Sequence, residues 1–300
     1  MSSLPVAATA PRPYPLRAFW APIRALIRKP SGAIGLGGVL FFVILCYVGP
    51  LFIPAPPTNV DQTRQGPTLA NPLGTDNSGR SILVLLIRGG QEVISTGLLA
   101  AVLTGLLGVI LGALAAYVGG LFDTVVVGVA NFFLVIPTFT LLTVLSTIIR
   151  LDNVLLLGVL LATFNWPLLA RVVRAQVLSL RERDYVEAAV SLGLTTRHII
   201  ALEILPNMAS YIIVNLIFSF TNAIYALIGL IFLGFVPINT RNPNWGVVIN
   251  ISNNQGAINN PDNTWWILGP VLAIAFLQWF MFTLARSIED AFNPRLRAEG

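Results

Sequence analysis

Residue types that carry bond chemistry are scarce in this 300-residue chain, and their placement excludes most reactions. A nucleotide-hydrolysing loop needs glycine-rich backbone amides around the phosphates and a lysine closing the motif. The one lysine, Lys29, follows Leu26-Ile27-Arg28 and has no such frame. One histidine, His198, and one cysteine, Cys46, cannot supply a His/Cys metal cluster or an intramolecular disulfide, and a Ser-His-Asp triad would rest on His198 alone. No catalytic residue and no metal site is expected, and His198 reads as a solvated surface residue. Asp123 and Asp152 fall at the ends of apolar stretches, so no pair of carboxylates is placed within one. What stands out is Glu187-Ala188-Ala189, then Leu192-Gly193, then Leu205-Pro206, in a polar insert between two long apolar stretches. These residues break no bonds. They suit a compact, water-exposed element that a second protein can grip and move.

The elements that must hold such a handle are set by composition. Hydrophobic residues make up 55% of the chain and charged residues 10%, with a mean hydropathy of +0.79. A soluble domain carries about a quarter charged residues, so the chain reads as an integral membrane protein. A helix needs about 20 apolar residues to cross the hydrocarbon core. Six stretches qualify: Gly32–Ile53, Val93–Val118, Thr124–Ile149, Val154–Val173, Met208–Val236 and Trp265–Ala285. The expected fold is an all-α polytopic bundle of six transmembrane helices. It divides into an N-terminal segment 1–31, a first span 32–53, an outer segment 54–92, a core 93–287 that contains the polar insert 174–206, and a tail 288–300.

Basic residues set the orientation. With the N-terminus inside, one side holds Arg12, Arg17, Arg24, Arg28, Lys29, Arg171, Arg174, Arg181, Arg183, Arg197, Arg286, Arg295 and Arg297. The other holds only Arg64, Arg80, Arg88, Arg150 and Arg241. The positive-inside rule therefore puts both termini and the Glu187 insert in the cytoplasm. It also reads the net charge of +5 as a topology signal rather than a nucleic-acid footprint. The first apolar run is too long for a signal-peptide core and lacks a small-residue cleavage site, so an uncleaved span is expected. Trp166, Trp265, Trp266 and Trp279 are placed at or near interfaces.

In the insert, Arg181 to Leu192 contains good helix formers and Gly193 stands where a helix would stop. Thr195 or Thr196 can cap a second helical stretch through Ile204, and Pro206 then introduces the next span. Ala188 and Ala189 keep one face slim enough to lie in a partner's cleft; an ordinary amphipathic helix on the membrane surface is the alternative. Outside, the segment starting at Pro54, Pro56 and Pro57 contains Gly74-Thr75-Asp76 and Gly79-Arg80, with Thr75 or Asp76 a candidate cap for a short helix. Together with Trp245-Gly246 in the second outer loop, these are candidates for docking a soluble partner, an ordered loop being the alternative. On the fifth span Tyr211, Asn215, Phe218, Asn222 and Tyr225 recur at four, three, four and three, one helical face. Such a face must meet protein or a hydrated path rather than acyl chains. Packing between helices and lining of a path are both open.

Glu187-Ala188-Ala189, Gly193 and Leu205-Pro206 resemble the EAA motif of ABC importer permeases, the segment that contacts the ATPase subunits. Asn71-Pro72-Leu73-Gly74-Thr75-Asp76 with Gly79-Arg80, Phe232-Leu233-Gly234, Trp245-Gly246 and Asn293-Pro294-Arg295-Leu296-Arg297 resemble, in that order, the dipeptide/oligopeptide/nickel permease family and its second, C-type subunit. The resemblance implies a type I importer permease fold. It implies a second permease, usually a different chain, two ATP-binding subunits that carry ATP and Mg, an extracytoplasmic solute-binding protein, and a bacterial or archaeal inner membrane. No cofactor is implied for this chain. Peptides are the implied substrate, with nickel or oligosaccharides as alternatives. The family often has charged residues where Ser81, Gly128, Asn131, Leu227 and Asn293 stand; losing the pair at Gly128 and Asn131 together avoids leaving one buried charge unpaired. Asn131 thus joins the fifth-span stripe as candidate path or interface lining. A secondary transporter would need midplane ionisable groups or broken helices in related halves, and a membrane scaffold would have no use for the Glu187-to-Pro206 pattern.

Overall fold

The computed structural model describes residues 26–151, 153–240 and 242–292. Arg12, Arg17, Arg24, Asp152, Arg241 and the Asn293-to-Arg297 motif lie outside the described residues. Five helices are long and apolar enough to cross a membrane, or six when one bent pair counts as a single span. The first is α1 (Pro30–Tyr47), continued by the one-turn α2 (Gly49–Phe52). Then come α3 (Ile82–Val118), α4 (Gly120–Val135), α5 (Thr138–Ile148) and α6 (Val154–Leu180). The polar insert holds α7 (Asp184–Ser191) and the short α8 (Thr196–His198). The chain continues through α9 (Ala209–Phe232), α10 (Trp245–Asn254) and α11 (Thr264–Phe292).

Helix α3 organises the bundle, packing on α6 most extensively and also on α9, α1 and α4. Its buried face is built from Gly97, Ala101, Gly105, Gly108, Gly112 and Ala116, small residues that let neighbouring backbones approach. At Gly112 a Cβ would lie 2.5 Å from the carbonyl oxygen of Ala170 on α6, so this crossing admits only glycine without displacement. The main core gathers α1, α3, α6, α9, α10 and α11 around Phe42, Ile224, Leu227, Leu230 and Trp245. A smaller core at the α7 end joins Ala113, Ala116, Val173 and Val177 to Val186, Ala189 and Ile204. A third, at the opposite end, joins Ile82, Leu85, Val248 and Trp266.

Two spans depart furthest from the sequence expectation. Helix α3 begins at Ile82, eleven residues before Val93, and its 37 residues reach about 55 Å against a hydrocarbon core of about 30 Å. Arg88, Gln91 and Glu92 depress local hydropathy without interrupting the helix, so a hydropathy window cuts it short. The third span, expected as one helix over Thr124–Ile149, is bent by 81° between α4 and α5. Pro137 removes an amide donor and pushes Ile136 to extended angles (φ −82°, ψ 126°), which ends α4. Trp166 and Trp266 are buried core residues, whereas Trp265 and Trp279 are exposed. Trp166 packs edge-on against Phe133.

Candidate functional site

The polar insert is anchored before it projects. Arg181, following α6, donates from Nη1 to the carbonyl of Ala116 at 3.0 Å, tying the insert to the last turn of α3. Helix α7 starts with Asp184 and Glu187 in its first turn, where negative charge complements the helix dipole. It ends in a Schellman motif: Gly193 N–H donates to Val190 at 2.9 Å and Leu194 N–H to Ala189 at 3.2 Å. Gly193 sits at φ +74°, which its missing Cβ makes cheap, and nothing lies within 4 Å of where a Cβ would stand. Thr195 caps α8 by accepting from His198 N–H at 3.3 Å; His198 itself is half-buried rather than fully solvated.

Helix α7 has two faces. Val186 and Ala189 are buried among Val173, Val177, Ile199 and Ile200 of the same chain. Glu187, Ala188 and Gly193 are exposed, and Leu192 is 78% exposed. The two alanines therefore do not share a slim outward face: Ala189 seats the helix on its own bundle and Ala188 looks out. Leu205 is half-buried and Pro206 exposed, in a 3-10 turn (Leu205–Met208) that follows a π-helical stretch, Ile199–Ile204. The pyrrolidine ring of Pro206 clashes with a regular carbonyl at Leu202 and offers no amide, so the helix widens before it and tightens after. Sequence placed a helix here and missed its change of pitch.

At the opposite end, the seven residues expected to dock a partner are all buried: Gly74, Thr75, Asp76, Gly79, Arg80, Trp245 and Gly246. Buried within this chain, they hold the two outer loops together. Asp76 accepts from Arg80 Nε at 2.8 Å and from Nη2 at 2.6 Å, while its other oxygen accepts from the backbone amides of Ser78 and Arg80 at 2.8 Å. Arg80 Nη1 then donates to the Thr240 carbonyl at 2.6 Å, joining the two outer loops. Thr75 does not cap a helix; its hydroxyl accepts from Gln65 N–H and donates to the Gln62 carbonyl. Ser81 takes the cap position of α3. Gly79, at φ +70°, lies where a Cβ would overlap the Asn59 carbonyl. Trp245 lies over Gly90 of α3 and donates its indole N–H to the Leu86 carbonyl at 2.7 Å. Glycine and tryptophan in such loops signal close internal packing as readily as recognition, and exposure alone separates the two.

The fifth-span stripe on α9 behaves differently. Phe218 is 45% and Tyr225 52% exposed, Asn222 is exposed, and Tyr211 and Asn215 are half-buried. The side chain of Asn215 donates to the Tyr211 carbonyl at 2.9 Å, and Phe218 meets Phe282 of α11. Packing inside this chain therefore does not cover Asn222 or Tyr225. Asn131, also exposed, accepts from Arg171 Nη2 at 2.6 Å, one turn from a two-pronged ion pair between Arg174 and Asp123 at 2.5 and 2.6 Å. Gly128 is open to the surface and Leu227 lies fully inside the apolar core, so a neutral residue suits each place.

Residues 108–298 match the family described as binding-protein-dependent transport system inner membrane component. The oligopeptide transport system permease protein OppC of Mycobacterium tuberculosis is 28% identical over 279 residues, covering 92% of this chain and 94% of that protein. A Brucella suis protein provisionally named a peptide transport system permease is 34% identical over 283 residues, 92% of each chain. Among solved structures, a chain of the MetNI methionine ABC transporter in inward-facing conformations aligns with a TM-score of 0.53 at 18% identity. That alignment covers 68% of this chain and 96% of the other, a likeness of fold. With a bundle of membrane-length helices, an insert that projects from it, and matches that run through both, the chain belongs to the binding-protein-dependent transport system inner membrane components, the permease subunits of ABC importers.

Proposed function

We propose that this permease forms half of a path for di- and oligopeptides and is driven through α7. The relatives named for peptide transport, matched over more than nine-tenths of their length, support the substrate class. The observation that carries the drive is the two-faced α7: Val186 and Ala189 fix it to α3 and α6, while Glu187, Ala188, Leu192 and Gly193 stay outside. A helix clamped on one face and open on the other passes a push into the bundle rather than yielding to it. Leu205-Pro206 carries that push into α9, whose Asn222 and Tyr225 face a hydrated path or the second permease, with Asn131 on α4 as a further polar lining group. The partner is a different permease chain. Two separate ATPase subunits bind ATP and Mg and contact the α7 segment, and a solute-binding protein delivers the peptide. The charge count supports an orientation with α7 and both termini in the cytoplasm of a bacterial or archaeal cell and the Asp76 end outside the inner membrane.

Gly193→Val tests the drive. A β-branched residue at φ +74° strains the turn but meets no neighbour, so insertion and assembly should survive while peptide uptake falls and ATP hydrolysis continues. Undiminished uptake would sink the coupling role. Mass spectrometry of the solute held by the copurified binding protein tests the substrate: peptide is expected, and nickel or an oligosaccharide would overturn it.

A further inference from the structure

A cleft in the described residues lies away from α7. It encloses about 450 Å³ between the α2 end at Pro50, the first third of α3, Val154 at the start of α6, and Asn242. Since α6 runs from Val154 toward α7, this cleft is at the opposite end of the bundle, the end where the proposed substrate arrives. Its size is within the ~300–1,000 Å³ of small-molecule sites.

Beside Asn242, its polar side chains come from one helical face. Arg88, Gln91, Glu92 and Ser95 follow at three, one and three, so all four look into the same space. Arg88 and Glu92 are opposite charges four residues apart, the spacing at which helix side chains commonly pair. No ion pair joins them. Arg88 instead uses Nη1 to hold the carbonyls of Pro50 and Ile53, at 3.4 and 2.8 Å, leaving Nε and Nη2 for another acceptor. Glu92 faces the side chain of Asn244, whose amide oxygen is already committed to the Val247 N–H at 3.0 Å. One amide donor leaves most of a carboxylate's acceptor capacity unused. Gly89 fixes this arrangement, because a Cβ there would press on the Pro243 carbonyl at 2.5 Å and lift the loop that carries Asn244.

The cleft thus presents a cationic and an anionic edge about 6 Å apart along α3, with Pro50 and Val154 as apolar walls. An extended dipeptide spans about 7 Å. We propose that this cleft is an entry site for short zwitterionic peptides, holding the free ammonium on Glu92 and the free carboxylate on Arg88. The inference rests on the peptide reading above and adds a requirement for free termini.

The test uses the assembled transporter in lipid nanodiscs, without binding protein, and saturation-transfer NMR with alanyl-phenylalanine and its N-acetyl derivative. Glu92→Gln is the variant of choice because Arg88 also secures α2. Wild type should bind the free dipeptide about tenfold or more tightly than the acetylated one, the loss expected for a charge-assisted hydrogen bond. Glu92→Gln should erase that preference while thermal melting and ATP hydrolysis stay unchanged. Equal binding of both peptides to wild type, or a preference that survives in Glu92→Gln, overturns the site. No dipeptide binding to the transporter, with peptide still found on the binding protein, overturns this site and leaves the peptide reading standing. Absence of peptide from the binding protein ends both.

Discussion

Removing the Asp76 carboxylate separates a structural role for the outer loop motif from a recognition role. In Asp76→Ala the buried Arg80, 8% exposed, loses its carboxylate partner, and the amides of Ser78 and Arg80 lose a shared acceptor. Breaking a buried ion pair by deleting one partner costs about 3–5 kcal/mol. At about 1.4 kcal/mol per tenfold, the local opening equilibrium of the loop should rise by roughly two to almost four powers of ten. Hydrogen exchange reads this directly, since Asn59, Arg64, Thr75 and Ile82 all donate amides inside the loop. Faster exchange is expected over 59–82 and around Thr240, with the α6 and α9 amides unaffected. Asp76→Asn, which keeps an oxygen for the two amides and loses only the charge, should show a smaller effect. Unchanged exchange in Asp76→Ala, with weaker capture of the binding protein, would refute the reasoning and restore the motif as a contact surface.

Other perturbations address the bundle. Gly112→Val forces a side chain onto the Ala170 carbonyl 2.5 Å away; overpacking of this kind costs about 1–3 kcal/mol and should lower the melting temperature of the purified permease, where an unchanged value would contradict the close crossing. Cysteines at Asn222 and Tyr225 should react with a water-soluble maleimide in the assembled transporter or cross-link to the second permease, whereas Leu227→Cys, at a site 0% exposed, should do neither; native Cys46, also 0% exposed, contributes no background. Arg174→Gln removes a half-exposed ion pair with Asp123, so a loss of about 1 kcal/mol or less is expected by double-mutant cycle with Asp123→Asn.

The sequence shows the spans because burial in lipid needs long apolar runs, and five of the six expected stretches fall on helices long and apolar enough to cross a membrane. It hides what depends on partners elsewhere in the chain. Arg88 and Glu92 make the start of α3 read as a separate short helix ahead of the span, yet their polarity lines a cleft that only folding creates. Pro137 is visible, but the 81° turn it permits depends on how α5 packs afterwards. The stretch Gly74 to Arg80 is rich in residue types associated with recognition, and each is spent internally: glycines where backbones touch, an aspartate on an arginine, a threonine between two backbone groups. The Glu187 insert is the most legible part, because its helix formers and glycine stop are local signals, although an eight-residue helix persists only on the core it packs against. Which of its alanines faces inward was not legible, since that is set by Val173, Val177 and Ile200 on other turns.

On the proposed function, the route from α7 to α9 accounts for the shape of the insert. Val186 and Ala189 share one small core with α3, α6 and the stretch Ile199–Ile204, so α7 cannot shift without moving all three. Between that core and the stripe, the chain is neither a loop nor a regular helix: π-helical hydrogen bonding before Pro206 and 3-10 bonding after it keep the backbone bonded while varying its pitch. A flexible loop there would dissipate a push, and an uninterrupted α-helix would transmit it only along its own axis. A helical joint with variable pitch can convert the same push into rotation of α9. On the proposed function, such rotation would change which of Asn215, Phe218, Asn222 and Tyr225 face the path, while Ile224 and Leu227 on the same helix stay in the main core.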